Sequence, residues 1–186
     1  MKIPDRDEAY ALLTEYTKGD GLVKHALAVE AAMRYYAAHF GEDEALWGSV
    51  GLLHDFDYEK YPSLDDHPFR GAEILREKGY DEAFIHAILS HANHTGVTRE
   101  NLMEKSLFAV DELCGLVTAV ALVRPSKKLD DVGVKSVKKK LKDRAFARSV
   151  NRDDIRQGAE ELGIPLEDHI QNVITAMQGV SGDLGL

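Results

Sequence analysis

The stretch Leu52-Leu53-His54-Asp55-Phe56-Asp57-Tyr58 decides how the rest of this chain is interpreted. It closes an apolar run that opens at Trp47, and its histidine and first aspartate are adjacent. The small residues Gly48, Ser49 and Gly51 precede the pair, so another chain segment can approach this run closely. Because adjacent His-Asp pairs are common by chance, the meaning of this pair depends on histidines and acids elsewhere in the chain.

His25 is the first such residue, and it belongs to the apolar side of a predicted helix. It follows Leu22 by three residues and precedes Val29 by four, which is the spacing of one helix face. A histidine in this position is either a hydrogen-bonded core residue or a metal ligand.

Asp111 is the second, and its helical neighbours include Leu107, Val110 and Cys114. Burying an unpaired carboxylate costs several kcal/mol, so Asp111 requires either a basic partner or a metal ion. Together with His25, His54 and Asp55 it supplies four ligands, and three or four ligands with an open position are what a catalytic metal needs.

Length and composition are those of a soluble globular domain. The chain has 186 residues, of which 44% are hydrophobic and 30% charged, and its formal net charge of −9 argues against general affinity for nucleic acid. The single cysteine, Cys114, cannot form an internal disulfide and fits a reducing compartment. The beginning carries no apolar signal segment, and no apolar run is long enough to cross a bilayer. These features predict a cytoplasmic protein without membrane contact.

Helical periodicity predominates, and no stretch alternates with period two. The pattern predicts an all-α single-domain bundle over 1–186, with a motif core at about 20–125, C-terminal helices at about 126–178 and a flexible tail at 179–186. His39, His86 and His169 are expected at the surface or its boundary. The predicted helices cover about 5–17, 22–40, 43–54, 68–79, 81–91, 105–123, 153–162 and 165–177.

The pattern His25…His54-Asp55…Asp111 resembles the HD superfamily of metal-dependent phosphohydrolases, which is named for the motif H…HD…D. The resemblance covers about residues 20–125 and implies the compact helical fold of that superfamily. It also implies that these four residues bind a metal ion.

Two further segments are similar to binuclear members of the superfamily. His67-Pro-Phe-Arg-Gly-Ala-Glu-Ile-Leu resembles their HPxxGxxIL segment, and Ala87-Ile-Leu-Ser-His91 resembles their AIxxH segment. By this resemblance, His67 and His91 bind a second metal ion that Asp55 bridges to the first, and His94 is the alternative to His91. The ions are one or two divalent metals, with manganese, iron, zinc, cobalt, nickel and magnesium all open.

The sequence departs from the family pattern after His91. It reads Ala92-Asn-His-Thr-Gly96 where the family's cyclic di-nucleotide hydrolases have HHExxDGxGYP, so that activity is not expected. The segment looks closer to small binuclear HD proteins that hydrolyse dinucleoside polyphosphates, but the spacing around His91 differs from theirs. That substrate is therefore not carried over.

The predicted catalytic residues are Asp55, as the bridging ligand, and Asp57. Metal ions lower the pKa of bound water and screen the charge of a phosphate under attack. Asp57 follows the pair by two residues and either orients this water or makes a hydrogen bond within its own loop.

Cationic side chains are expected near the metals because phosphate needs them. The candidates are Arg70, one turn after His67, and the basic stretch after the predicted Asp111 helix, which contributes Arg124, Lys127 and Lys128. Residues 124–148 hold ten Lys or Arg against three Asp. The alternative is a solvated basic face.

The sequence thus predicts a metal-dependent phosphohydrolase that acts on a small phosphorylated molecule, expected to be a nucleotide, and not on a nucleic-acid polymer. Two alternatives remain open: a di-iron oxygenase of the HD type, which has a similar ligand set, and a regulatory module that binds metal or nucleotide without turnover. A homodimer is a reasonable default for a compact helical domain.

Overall fold

The computed structural model describes residues 2–186, and this part of the chain contains ten α-helices and no β-strand, which confirms the predicted all-α class. Two short 3₁₀ helices, Asn93–Thr95 and Leu129–Asp131, interrupt the connections. The α-helices are α1 (Arg6–Tyr16), α2 (Asp20–Phe40), α3 (Glu44–Leu53), α4 (Phe69–Glu77), α5 (Glu82–Leu89), α6 (Leu102–Leu122), α7 (Val134–Lys142), α8 (Arg152–Leu162), α9 (Leu166–Gln178) and α10 (Ser181–Leu184).

Polar side chains define where several helices begin. Asp5 accepts the backbone N–H of Glu8 and caps α1, and Asp81 accepts the N–H of Ala83 and caps α5, as the sequence predicts. Asn101 caps α6 in the same way, so that helix begins three residues earlier than its periodicity predicts.

The core is built around α2, α3 and α6, which pack against one another. His25 lies on α2 and Asp111 on α6, and the pair His54-Asp55 follows the end of α3. Gly51 lies where α3 meets α2. A Cβ atom on it would be 2.9 Å from Cγ of Met33 and 3.0 Å from the carbonyl oxygen of Val29. The close approach expected at this glycine is therefore present, and it brings the end of α3 against the helix that carries His25.

The structure differs from the prediction in the C-terminal third. Residues 134–142 form α7, which the sequence did not predict because lysines dominate it and only Val137 and Leu141 are buried. The tail expected to be flexible instead contains α10, and Leu184 is 4% exposed within the core. Val180 and Leu186 also pack partly against the core, but these apolar residues lie among glycines and leave little periodicity to detect.

His169 is a second correction, because this residue was expected at the surface and is fully buried. Its Nε2 donates to the carbonyl oxygen of Ala109 on α6, and its Nδ1 accepts the hydroxyl of Tyr36 on α2. His169 thus links α9 to both long helices of the core.

Across residues 2–186, no helix combines the length and the apolar character needed to cross a membrane.

Candidate metal centre

The first group of candidate ligands comes from three parts of the fold. His25 lies on α2, Asp111 lies on α6, and His54 and Asp55 follow directly after α3. Nε2 of His25 is 3.0 Å from Oδ1 of Asp111, and Nε2 of His54 is 3.4 Å from the same oxygen. One donor atom from each of the four residues lies within 4.8 Å of all the others. The packing of α2, α3 and α6 therefore creates one four-donor site.

The second group joins Asp55 to His67 and His91. Oδ1 of Asp55 is 3.1 Å from Nε2 of His67 and 3.3 Å from Nε2 of His91. The other oxygen, Oδ2, is 3.5 Å from Nε2 of His54 in the first group. One carboxylate thus faces a different donor group with each of its oxygens, which is the placement expected of a bridging ligand.

Three of the histidines have one ring nitrogen already engaged. Nδ1 of His54 donates to the carbonyl oxygen of Gly51, and Nδ1 of His91 donates to that of Ile88, each at 2.7 Å. Nδ1 of His67 donates to Asp57 at 2.8 Å. In the neutral ring, these bonds place the proton on Nδ1 and leave the lone pair of each Nε2 available to a metal ion. This is the usual arrangement of histidines that bind a metal.

The donor atoms fit a divalent transition metal. Nε2 of His54 is buried and has no hydrogen-bond partner within residues 2–186, although a buried ring nitrogen normally has one. Imidazole nitrogen and carboxylate oxygen are ligands that zinc, iron and manganese accept. A metal ion in this position would satisfy the unpartnered nitrogen, so the residues present fit the group that the sequence predicts.

The carboxylates and imidazoles of the two groups shift one another's pKa values. Burial opposes protonation of His54, but the carboxylates of Asp55 and Asp111 outweigh it and hold the pKa of His54 well above its ordinary value. Burial likewise raises the pKa of Asp55, but His54 and the other histidines outweigh it and hold that pKa well below its usual range. For His67, hydrogen bonds to Asp55 and Asp57 overcome the effect of burial and raise the pKa to about 9. Metal binding at these donors would release protons, because an imidazole ligand must be neutral.

A cleft of about 660 Å³ opens over both groups. Its walls combine apolar and polar side chains, among them Leu64, Phe108, Asn93 and Asp154. Five of the six predicted ligands line it, and His54 lies beneath the floor, fully buried. The donors are therefore reachable by a molecule of moderate size.

His94, the alternative to His91, also lines the cleft but belongs to neither donor group. Its Nε2 lies 2.9 Å from the carbonyl oxygen of His67, where it can donate a hydrogen bond. The geometry therefore places His91 among the candidate ligands and His94 in the wall beside them.

Asp57 does not reach the cleft. It is fully buried, its Oδ1 accepts Nδ1–H of His67, and its Oδ2 accepts the backbone N–H of Gly71 at 2.8 Å. Both oxygens are occupied, so the structure corrects the predicted catalytic role and agrees with the alternative of a hydrogen bond in the loop. Asp57 orients a candidate ligand.

The four predicted phosphate-binding cations also lie outside the cleft. Arg70 pairs with Asp66 and Glu73 on its own helix. Arg124 comes 13 residues after Asp111 in the sequence, which corresponds to about 20 Å along a helix and is beyond the reach of an arginine. Lys127 and Lys128 lie farther on, after α6 has ended. A position later on the same helix is therefore too far along its axis for contact with the cleft.

Glu112 is a cleft residue that the sequence did not single out. Burial, followed by the charge of Asp111, raises its pKa to about 7. Its carboxylate accepts the backbone N–H of Asn151 at 3.0 Å, which ties the segment before α8 to the cleft. The only signal in the sequence was its position next to Asp111.

Comparison with known proteins agrees with the site. The model of the HD domain matches residues 22–116, and the chain belongs to this family, whose superfamily is that of the metal-dependent phosphohydrolases. A relative from Picrophilus torridus, tRNA (cytidine(56)-2'-O)-methyltransferase, is 29% identical over 105 residues. The match covers 56% of this chain but only 30% of that protein. No solved structure matches the chain.

Proposed function

We propose that this protein is a metal-dependent phosphohydrolase that cleaves a phosphoester or phosphoanhydride bond of a small molecule, with nucleotides as the first class of substrate to test. The observation that carries the proposal is the placement of Asp55 between two donor groups. Two metal ions a few ångströms apart are a recurring solution for phosphoryl transfer to water.

In this proposal the chain's own residues bind and position. His25, His54, Asp55 and Asp111 would hold one ion, and Asp55, His67 and His91 would hold the other. Bound metal ions would lower the pKa of a water molecule and offset the negative charge of the phosphate.

The remaining residues support this arrangement. Gly51 and Ile88 hold two of the rings through their carbonyl oxygens, and Asp57 holds a third. Leu64 and Phe108 contribute apolar surface to the wall of the cleft.

Methyl transfer, the activity in the name of the Picrophilus relative, is not part of the proposal. The shared region spans less than a third of that protein, and the feature that this chain presents is a set of imidazole and carboxylate donors. The activity of this chain must be argued from its own site and not from the name of a protein that shares one region with it.

The test is a comparison of phosphate release and metal content. Wild-type protein loaded with manganese, iron, cobalt, nickel, zinc or magnesium is assayed against a panel of nucleotides and phosphoesters. We expect about two ions per chain, and phosphate release that falls by at least a hundredfold in Asp55→Ala and His54→Ala. Asp65→Ala, which removes an exposed carboxylate from the loop between Asp57 and His67, is the matched control and should retain activity.

Unchanged phosphate release in both ligand variants would refute the proposal. If the iron-loaded protein consumes oxygen and releases no phosphate, the result favours the oxygenase alternative. If the protein binds nucleotide with every metal but converts no nucleotide, the result favours the regulatory alternative.

A further inference from the structure

A second cavity lies beside the metal cleft, and the function proposed above does not use it. It encloses about 490 Å³ between the end of α7 and the start of α8. It shares two lining residues with the cleft, Val150 and Asn151. Two consecutive residues span at most about 7 Å, so the two spaces are near neighbours across a thin rim.

The lining of this cavity is strongly basic. Among the nine residues that line it, a single carboxylate, Asp153, stands against five cations. These are Lys142, Arg144, Arg148, Arg152 and Arg156. Such a concentration is notable in a chain whose formal net charge is −9.

One of the five cations holds the wall in place. The guanidinium of Arg152 donates to backbone carbonyl oxygens along residues 143–150, including those of Ala147 at 2.7 Å and Val150 at 2.6 Å. Further bonds reach Asp143 and Phe146. Together with the bond from Asn151 to Glu112, this fixes the segment between α7 and α8 against the cleft.

Three others remain available. Lys142, Arg144 and Arg148 are exposed, and within residues 2–186 none of them has a carboxylate within salt-bridge distance. Their neighbours behave differently, since Lys138 pairs with Glu167 and Lys140 with Asp143. Three cations without a carboxylate partner therefore line this cavity.

The metal cleft has the opposite character. Across the described chain, none of its lining residues is a lysine or an arginine, and it carries the acids Asp55, Asp111, Glu112 and Asp154. Bound metal ions could offset one phosphate group there, but a second phosphate group on the same substrate would face carboxylates. The nearest cations lie across the rim formed by Val150 and Asn151.

We propose that the basic cavity binds a second phosphate group of the substrate whose scissile phosphate lies at the metal centre. The substrate class is therefore a compound with at least two phosphate groups, such as a nucleoside polyphosphate, rather than a monophosphate. This inference rests on the proposed function. Arg144 and Arg148 supply planar guanidinium donors suited to phosphate oxygens, and Lys142 supplies a point charge.

Direct binding tests the cavity without requiring turnover. Inorganic tripolyphosphate is titrated calorimetrically into the metal-free protein, so that binding of the anion to a metal ion does not contribute to the signal. We expect the Kd to rise about a hundredfold in Arg144→Ala/Arg148→Ala, from roughly tenfold for each charge-assisted contact. Lys135→Ala/Lys139→Ala removes the same charge from the exposed face of α7 and should change the Kd less than threefold.

An equal Kd in the arginine variant and the wild type would overturn the anion site. A larger loss in the α7 control than in the arginine variant would do the same, because it would place the anion on the lysine face. Absence of tripolyphosphate binding to the wild type would also refute it.

Kinetics test whether the cavity serves the substrate. For the metal-loaded protein we expect Arg144→Ala/Arg148→Ala to raise KM for adenosine triphosphate at least tenfold, with kcat nearly unchanged and the kinetics with adenosine monophosphate unaffected. An equal rise of KM for both nucleotides would overturn the subsite. If the wild type binds tripolyphosphate through the arginines but hydrolyses nothing, the proposed function fails and the anion site stands as a binding site only.

Discussion

Asp57 accepts the Nδ1–H of His67 and so turns the Nε2 of that ring toward Asp55. The Nδ1–Oδ1 distance is 2.8 Å, and the pair is almost completely buried. The second oxygen of Asp57 accepts the N–H of Gly71, and a Cβ atom on that glycine would lie 2.9 Å from Cγ of Asp57. Aspartate and glycine together therefore fix the direction of one candidate metal ligand.

Asp57→Asn is expected to weaken the second metal site and spare the first. Both partners of the carboxylate are donors, whereas asparagine offers one acceptor oxygen, so either His67 or Gly71 would face an NH₂ group. Loss of such a supporting contact costs about 10–100-fold in metal affinity. Metal titration followed by calorimetry measures the two steps separately.

The exposed Asp65 provides the control, since Asp65→Asn removes the same charge from the same loop and Asp65 belongs to neither donor group. Equal affinity for the second ion in Asp57→Asn and the wild type would show that His67 does not depend on Asp57.

His91 and His94 should differ in their effect on metal content. Nε2 of His91 faces Asp55, whereas Nε2 of His94 lies against the carbonyl oxygen of His67. We expect His91→Ala to lower the metal content from about two ions per chain to about one, and His94→Ala to leave it unchanged. Elemental analysis of protein purified without chelator measures both. A loss of metal in His94→Ala alone would reverse the assignment.

The sequence was sufficient for the fold class and for the convergence of the ligands, because both depend on local periodicity and on residue types with few alternative uses. His25 and Asp111 each lie on the apolar face of a helix, so their polar groups need a partner in the core. The adjacent pair His54-Asp55 directly follows α3, which packs against α2, and α2 in turn packs against α6.

The placement of the basic side chains relative to the cleft was not predictable in this way. Arg124, Lys127 and Lys128 were chosen for their nearness to Asp111 along the chain, but helix α6 carries them away from the cleft. Arg144 and Arg148 line the neighbouring cavity, on a segment that Arg152 holds in place through hydrogen bonds to the backbone carbonyl oxygens of residues 143–150. Hydrogen bonds of this kind leave no periodic pattern in the sequence.

Gly158 is expected to control the spacing of α6 and α8. A Cβ atom on it would lie 2.5 Å from Cα of Ala109, which is backbone and cannot turn aside. Gly158→Ala should therefore lower the free energy of unfolding by about 1–3 kcal/mol despite the better helix propensity of alanine. In the control Gly21→Ala, the new Cβ would meet no atom within 4 Å, and the change should be neutral or stabilising. Urea unfolding measures both, and equal stability of the two variants would contradict the close contact.

His169 is expected to make the protein less stable in mild acid. Burial lowers its pKa to about 4, and the bond to the carbonyl oxygen of Ala109 only partly opposes this. An unfolded histidine has a pKa of about 6.5, so between these values the unfolded chain binds a proton that the folded chain does not. The stability that comes from keeping His169 neutral is therefore fully present above pH 6.5. It is lost as the pH falls toward 4, by about 3 kcal/mol in total.

The measurement is urea unfolding of the metal-free protein from pH 7 to pH 4, because bound metal would add its own pH dependence. His169→Gln cannot titrate, so its stability should fall less over this range than that of the wild type, by about 3 kcal/mol. His39→Gln removes an exposed histidine and should follow the wild type. Parallel curves for wild type and His169→Gln would mean that the buried imidazole takes up its proton as readily in the folded chain as in the unfolded one.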